Sequence, residues 1–141
     1  MRNMAEKEIR RFLMSGTRTG KLATTRADGW PHVAPVWFVL DGDDLVFTTY
    51  EDTVKAHNLT RDGRAAMSVD DQTPPYSFVV VEGTVTISDD LEELRRWATR
   101  IGARYMGHDQ AEAFGRRNAV PGELLVRLSP DRTIARADMA E

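Results

Sequence analysis

The sequence predicts a mainly β protein: a small antiparallel β-barrel of about six strands with helices at its periphery. Three features carry this prediction. Short apolar runs between residues 21 and 49 are separated by tight turn signals, Asp28-Gly29 and Asp41-Gly42-Asp43, and such hairpins join antiparallel neighbours. No βαβα alternation follows, which argues against a doubly wound parallel sheet. Gly83 sits inside a long β-type run, where glycine marks a bulge or a barrel bend.

The elements read as follows. Ala5, Ile9, Phe12 and Leu13 recur at helical spacing over residues 4–14, with Gly16 as the stop. Residues 21–26 form a strand closed by Asp28-Gly29. Residues 31–40 form the next, and 44–49 return from the turn at 41–43. Residues 53–60 give a turn or two of helix capped by Asp52 or Thr53. A strand at 65–69 leads into a loop with Pro74 and Pro75, which cannot serve a central ladder. Residues 76–87 are a long strand. Ser88-Asp89-Asp90 then caps an amphipathic helix whose apolar face is Leu91, Leu94, Trp97, Ile101 and Tyr105. A second helical stretch covers 109–117, and a last strand, 124–128, ends before Pro130.

The chain has 141 residues and no cysteine. The length fits one domain over residues 1–141, burying roughly two-thirds of its unfolded surface. Disulfide frameworks, thiolate metal sites and cysteine nucleophiles are excluded. Lys plus Arg number 19 against 22 Asp plus Glu, a net charge of −3, so no broadly basic face invites nucleic acid. Charged residues interrupt the first fourteen positions, so no export signal is read and the cytoplasm is expected. No run approaches 18 apolar residues, so no membrane span is expected.

One strand is unusual. In 32–40 both faces are apolar: Val33, Pro35, Trp37 and Val39 alternate with Ala34, Val36, Phe38 and Leu40. A sheet with one wet face alternates apolar with polar. This strand therefore meets a second apolar surface: another subunit, a flat cofactor, or a peripheral helix of the same chain.

Chemical motifs are sparse. His32, His57 and His108 are scattered at spacings that complete no metal site, so no metal is expected. Gly-x-Ser-x-Gly, Gly-x-x-x-x-Gly-Lys-Ser/Thr and Gly-x-Gly-x-x-Gly are all absent, which removes the hydrolase, P-loop and dinucleotide-fold readings. The run 46–59 remains. It passes from a strand end through Thr48, Thr49 and Thr53 into a helix whose first turn carries Lys55. Free N–H groups, hydroxyls and one ammonium converge there, as an anion site requires. Glu51 and Asp52 add opposing charge, and the plain alternative is a strand–helix junction with a surface lysine.

With its neighbours, this run resembles the FMN-binding split-barrel family that includes pyridoxamine 5′-phosphate oxidase. The segments carrying the likeness are 28–38 (Asp-Gly-Trp-Pro-His-Val-Ala-Pro-Val-Trp-Phe), 45–49, 53–59, 76–84, 104–107 and 126–130. The likeness is closer to the branch using the deazaflavin coenzyme F420. It implies a six-stranded split β-barrel and a homodimer with cofactors in grooves at the subunit interface. It further implies an oxidoreductase passing a hydride between coenzyme F420 and a small conjugated acceptor. FMN is the alternative cofactor, and a non-catalytic F420 or flavin carrier the alternative role. By the same resemblance Lys55 matches the phosphate-holding lysine, with Thr53 and Asn58 beside it. Thr48 and Thr49 match the strand end supporting the cofactor's side chain. The backbone of Pro35, Val36 and Trp37 would lie along the flat ring, and the loop before Tyr76 would close the groove from the partner. Arg18, Lys21 and Arg26 could meet the coenzyme's polyglutamate tail, or be ordinary strand-surface charges. Tyr50 and Tyr76 are the candidates if a side chain, rather than solvent, gives a proton. The oxidase's basic phosphate set has no counterpart: the second strand holds His32, Ala34 and Val36. The likeness therefore points away from vitamin B6 oxidation.

Overall fold

The computed structural model describes residues 1–141. Eight strands form one antiparallel sheet: β1 (Arg2–Asn3), β2 (Gly20–Thr25), β3 (Pro31–Val36), β4 (Val39–Asp41), β5 (Asp44–Tyr50), β6 (Arg64–Asp71), β7 (Ser77–Ser88) and β8 (Glu123–Ala137). Four helices accompany them: α1 (Glu6–Met14), α2 (Val54–Arg61), α3 (Leu91–Met106) and α4 (His108–Arg117). The strand order is β3-β2-β6-β7-β8-β5-β4, with β1 on β8. β3 and β4 lie at opposite ends of that order, yet only Trp37 and Phe38 join them. Three Cα steps reach at most ~11 Å, so the sheet curls until the end of β3 lies close to the start of β4, with no ladder pairing the two edges. That closure makes the barrel.

The Asp28-Gly29 hairpin forms as its sequence dictates. Gly29 takes φ 90°, Trp30 N–H donates to Asp28 Oδ1 at 3.0 Å, and β2 pairs with β3 from Gly20–Val36 to Thr25–Pro31. The helix caps also form: Asp90 accepts from the N–H groups of Glu92 and Glu93, and Thr53, not Asp52, caps α2.

Two apolar clusters divide the structure. The larger fills the barrel with Leu22, Phe38, Leu45, Phe47, Met67, Val79, Val126 and Leu128 among others. The smaller lies outside it, where Val39, Val46 and Leu125 of the sheet meet Leu94, Trp97 and Ile101 of α3. A peripheral helix of the same chain thus covers part of the second apolar surface, at Val39. Tyr105 of α3 also stacks on Trp37, while Val33 is left open at 62% exposure.

The structure corrects three expectations. Residues 31–40 are not one strand but two, and the chain changes partners at the break. Phe38 there bonds to side chains: its N–H donates to Tyr105 Oη at 3.2 Å, and its carbonyl accepts from Arg104 Nη1 at 2.6 Å. The last strand does not stop at Pro130 but runs to Ala137. Pro130 falls at a register shift opposite Gly83, the kind of bulge where a missing N–H is tolerated. The strand count rises from six to eight through that break and through β1, two exposed residues paired with the far end of β8.

Candidate functional site

On β5, Val46, Thr48 and Tyr50 share the sheet's outer face, because side chains two residues apart point the same way. Val46 is under α3, which fixes that face as the outer one. Beside it lies an open cleft of about 270 Å³ lined by Pro35, Val36, Trp37, Thr48, Lys55, Ile101 and Phe114. Five elements and the β3–β4 link therefore converge: β3, β5, the first turn of α2, α3 and α4.

The apolar wall is ordered from behind. Trp37 stacks on Tyr105 with ring centroids 5.0 Å apart and planes within 2°, and meets Phe114 at 5.7 Å. Tyr105 Oη donates to the Arg18 carbonyl at 2.8 Å while accepting from Phe38 N–H. Burial raises the Tyr105 phenol above its usual range, so it stays protonated as this bonding needs. Arg104 bonds the carbonyls of Leu13, Gly16 and Phe38. Tyr105→Phe keeps the stack but orphans the buried Phe38 N–H. It is expected to cost about 1–3 kcal/mol, read as a lowered urea midpoint.

The polar end is Lys55. Its side chain is partly buried and makes no hydrogen bond or ion pair with the chain. Burial lowers its pKa below the ordinary lysine range, opposed by the charge of Glu123. The N–H groups of Val54 and Lys55 begin α2 with no acceptor in the chain, whereas Ala56 N–H is taken by Thr53 Oγ1 at 3.2 Å. An unpaired ammonium and two free N–H groups at a helix N-terminus suit an anion.

The other predicted residues are elsewhere. Thr49 faces inward, 5% exposed, and its hydroxyl lies 2.8 Å from Thr53 Oγ1. Thr53 also donates to the Tyr50 carbonyl, so its hydroxyl serves the cap. Asn58 is 3% exposed and donates to Thr24 Oγ1 at 3.0 Å inside the protein. None of the three lines the cleft. Tyr76 stands just before β7, 45% exposed with φ 65°, and lines no part of its own chain's cleft. Tyr50 is half exposed and packs against Gly122. Arg18 and Lys21 are paired with Asp71 at 3.1 Å and Asp70 at 3.3 Å. Sequence reasoning missed Ile101 and Phe114 as cleft residues. Helical periodicity marks Ile101 as apolar, but not which surface it faces.

The pyridoxamine 5′-phosphate oxidase family model matches residues 5–136. The fold and this match define the class: the chain belongs to the pyridoxamine 5′-phosphate oxidase family, whose barrel it shares. Among solved structures it is similar to the conserved hypothetical protein Rv2991 from Mycobacterium tuberculosis. That likeness has 30% identity and a TM-score of 0.85, covering 97% of this chain and 87% of the other. It is also similar to an F420 reductase, at 28% identity and a TM-score of 0.69, covering 87% of this chain and 94% of the other. HutZ, the heme storage protein from Vibrio cholerae, shares the fold at 18% identity and a TM-score of 0.75, with 100% of both chains covered. No helix is long and apolar enough to cross a membrane.

Proposed function

We propose that the protein is an F420-dependent reductase acting as a homodimer, with the deazaflavin held in the cleft between subunits. The observation that carries this reading is Lys55, a partly buried cation with no partner in its own chain, at one end of an apolar wall. The similarity to an F420 reductase supports it. The cleft fits such a group. Pro35, Trp37, Ile101 and Phe114 suit a planar ring, and Lys55 with the free N–H groups of α2 suits a phosphate. β3 is an edge strand, so its outer backbone groups are free to meet the ring's donors and acceptors.

When bound, the deazaflavin supplies a hydride for transfer to a small conjugated acceptor. The chain's own residues bind and orient. Lys55 anchors the phosphate, Thr48 stands beside the intervening chain, and the Tyr105-backed Trp37 fixes the plane. A second subunit completes the walls. The cleft of one chain, about 270 Å³, lies just below the ~300 Å³ at which ligand pockets ordinarily begin. The exposed Trp30, Val33 and Trp37 give an apolar face for that second copy.

The test is purification from a host lacking the deazaflavin, followed by titration with coenzyme F420 and FMN and by sedimentation. A colourless dimer that binds coenzyme F420 and reduces an acceptor in a panel is the expected result. A yellow protein saturated with flavin would instead make it an FMN oxidoreductase. Binding without turnover would make it a carrier, and a strict monomer would sink the shared cleft.

A further inference from the structure

The last turn of α3 holds the cleft from outside it. Arg104 lines no part of the cleft, yet its guanidinium spends all three nitrogens on backbone carbonyls. Nε donates to Gly16 at 3.0 Å, Nη2 to Leu13 at 2.7 Å and Nη1 to Phe38 at 2.6 Å. Its Cζ also lies 4.8 Å from the ring centroid of Phe38 and 4.9 Å from that of Tyr105. It closes no ion pair with a carboxylate. Three carbonyl dipoles and two rings therefore hold this half-buried charge. Leu13 and Gly16 lie at the end and exit of α1, where carbonyls lack partners within the helix. Phe38 belongs to the link between β3 and β4. One rigid fork thus ties the end of α1 to that link. The next residue adds a second hold: Tyr105 Oη accepts from Phe38 N–H at 3.2 Å, and its ring stacks on Trp37. Both peptide groups of Phe38 are spent on α3, so neither serves a ladder. Trp37, the other residue of the link, lines the cleft, and its own N–H and carbonyl meet no partner in the chain.

We infer that Arg104 is a positioning residue for the cofactor's planar ring. It acts through Phe38, fixing where Trp37 and its unpaired peptide groups stand in the cleft, and it takes no part in holding the phosphate at Lys55. The inference rests on the cofactor reading above. The division follows from the geometry. Phe38 adjoins Trp37 in the chain and Trp37 walls the cleft, whereas Lys55 stands on α2, to which Arg104 makes no bond. A lysine at position 104 would keep the charge. It offers one nitrogen on a flexible stem, so it cannot fix three carbonyls in one plane as the fork does.

The experiment measures Kd by calorimetry for two probes: coenzyme F420 without its glutamate tail, and the same deazaflavin with its sugar chain but no phosphate. The second probe reads the ring site, and the ratio of the two reads what the phosphate adds. Arg104→Lys is expected to weaken both probes by one factor, about five- to tenfold, leaving their ratio within about twofold of the parent's. A thermal melt of the same sample shows whether it is folded at the titration temperature. A role in stability alone would then leave the phosphate-free probe's Kd unchanged. That result, or a loss confined to the phosphate-bearing probe, would overturn the inference. Should Arg104→Lys not fold, Tyr105→Phe carries the test, because it releases the N–H side of Phe38 and keeps the ring stack. Both probes must weaken equally there, and unchanged Kd values sink the idea. Lys55→Ala separates the two readings: it is expected to collapse the ratio and spare the phosphate-free probe. If it does so while Arg104→Lys changes neither Kd, only the role of Arg104 falls. If Lys55→Ala leaves the ratio alone, or the parent binds neither probe, the cleft is not the cofactor's site, and both readings fall.

Discussion

Lys55→Ala is expected to weaken coenzyme F420 binding by about 1.5–3 kcal/mol, a factor of roughly ten to a hundred and fifty. That is the scale of a charge-assisted hydrogen bond in a partly desolvated site. The same change should leave the fold intact, because the ammonium holds nothing within its own chain. Affinity and stability therefore separate, and a calorimetric titration beside a thermal melt reads both. The pH dependence follows from burial, which lowers the lysine's pKa. The free protein's ammonium loses its proton at a lower pH than an ordinary lysine, so affinity falls as pH rises through that value. Stability of the unliganded protein runs the other way. Between the depressed folded value and the ordinary unfolded one, the unfolded chain binds more protons, so stability rises with pH. Lys55→Ala should lack both trends. Unchanged affinity in the variant would remove Lys55 from the site.

Local rules in the sequence account for the parts of the fold that neighbouring residues decide. Asp28-Gly29 is a complete turn instruction, and Ser88-Asp89-Asp90 with the spacing Leu91, Leu94, Trp97, Ile101 defines both the start and the face of α3. The break after β3 was not legible, because apolar residues continue through Trp37, Phe38 and Val39 without a local stop signal. The groups that bond Phe38 there come from Tyr105 and Arg104, 67 and 66 residues away. Pro130 was legible as a proline but not as a tolerated one, since only its register opposite Gly83 shows that. The site divides the same way. Lys55 stands out because a lysine in the first turn after a strand end is a local pattern. Of Thr48 and Thr49, adjacent strand residues must face opposite ways. Which one meets the cleft depends on α3 covering Val46, a tertiary fact. Asn58 matched a pattern by position, yet its amide is committed to Thr24 on another element.

Gly83→Ala is expected to destabilise the protein by about 3 kcal/mol, the upper part of the range for overpacking. A methyl at this position would meet the Ser129 carbonyl oxygen at 1.9 Å and Asp131 N at 3.2 Å. Both are backbone atoms, so no side-chain rotation relieves the clash. The site matters because β8 serves two parts of the barrel with one strand. β7 pairs along both halves of it, from Leu125 to Arg136, while β5 pairs with the first half from Leu128 to Glu123, beside the cleft, and β1 with the far end. The register shift between Glu82 and Gly83 lets the strand change course between those tasks. An added methyl must therefore open the β7–β8 seam or shift Pro130. By the usual scaling for a domain of this size, the thermal midpoint should fall by roughly 10 °C. Gly63→Ala is the matched comparison, since a methyl there would come no closer than 3.7 Å to the Val85 carbonyl. Its midpoint should stay within roughly 2 °C of the parent. Equal midpoints for the two variants would mean that the strands do not approach at Gly83 as closely as described, and that β8 turns by some other means.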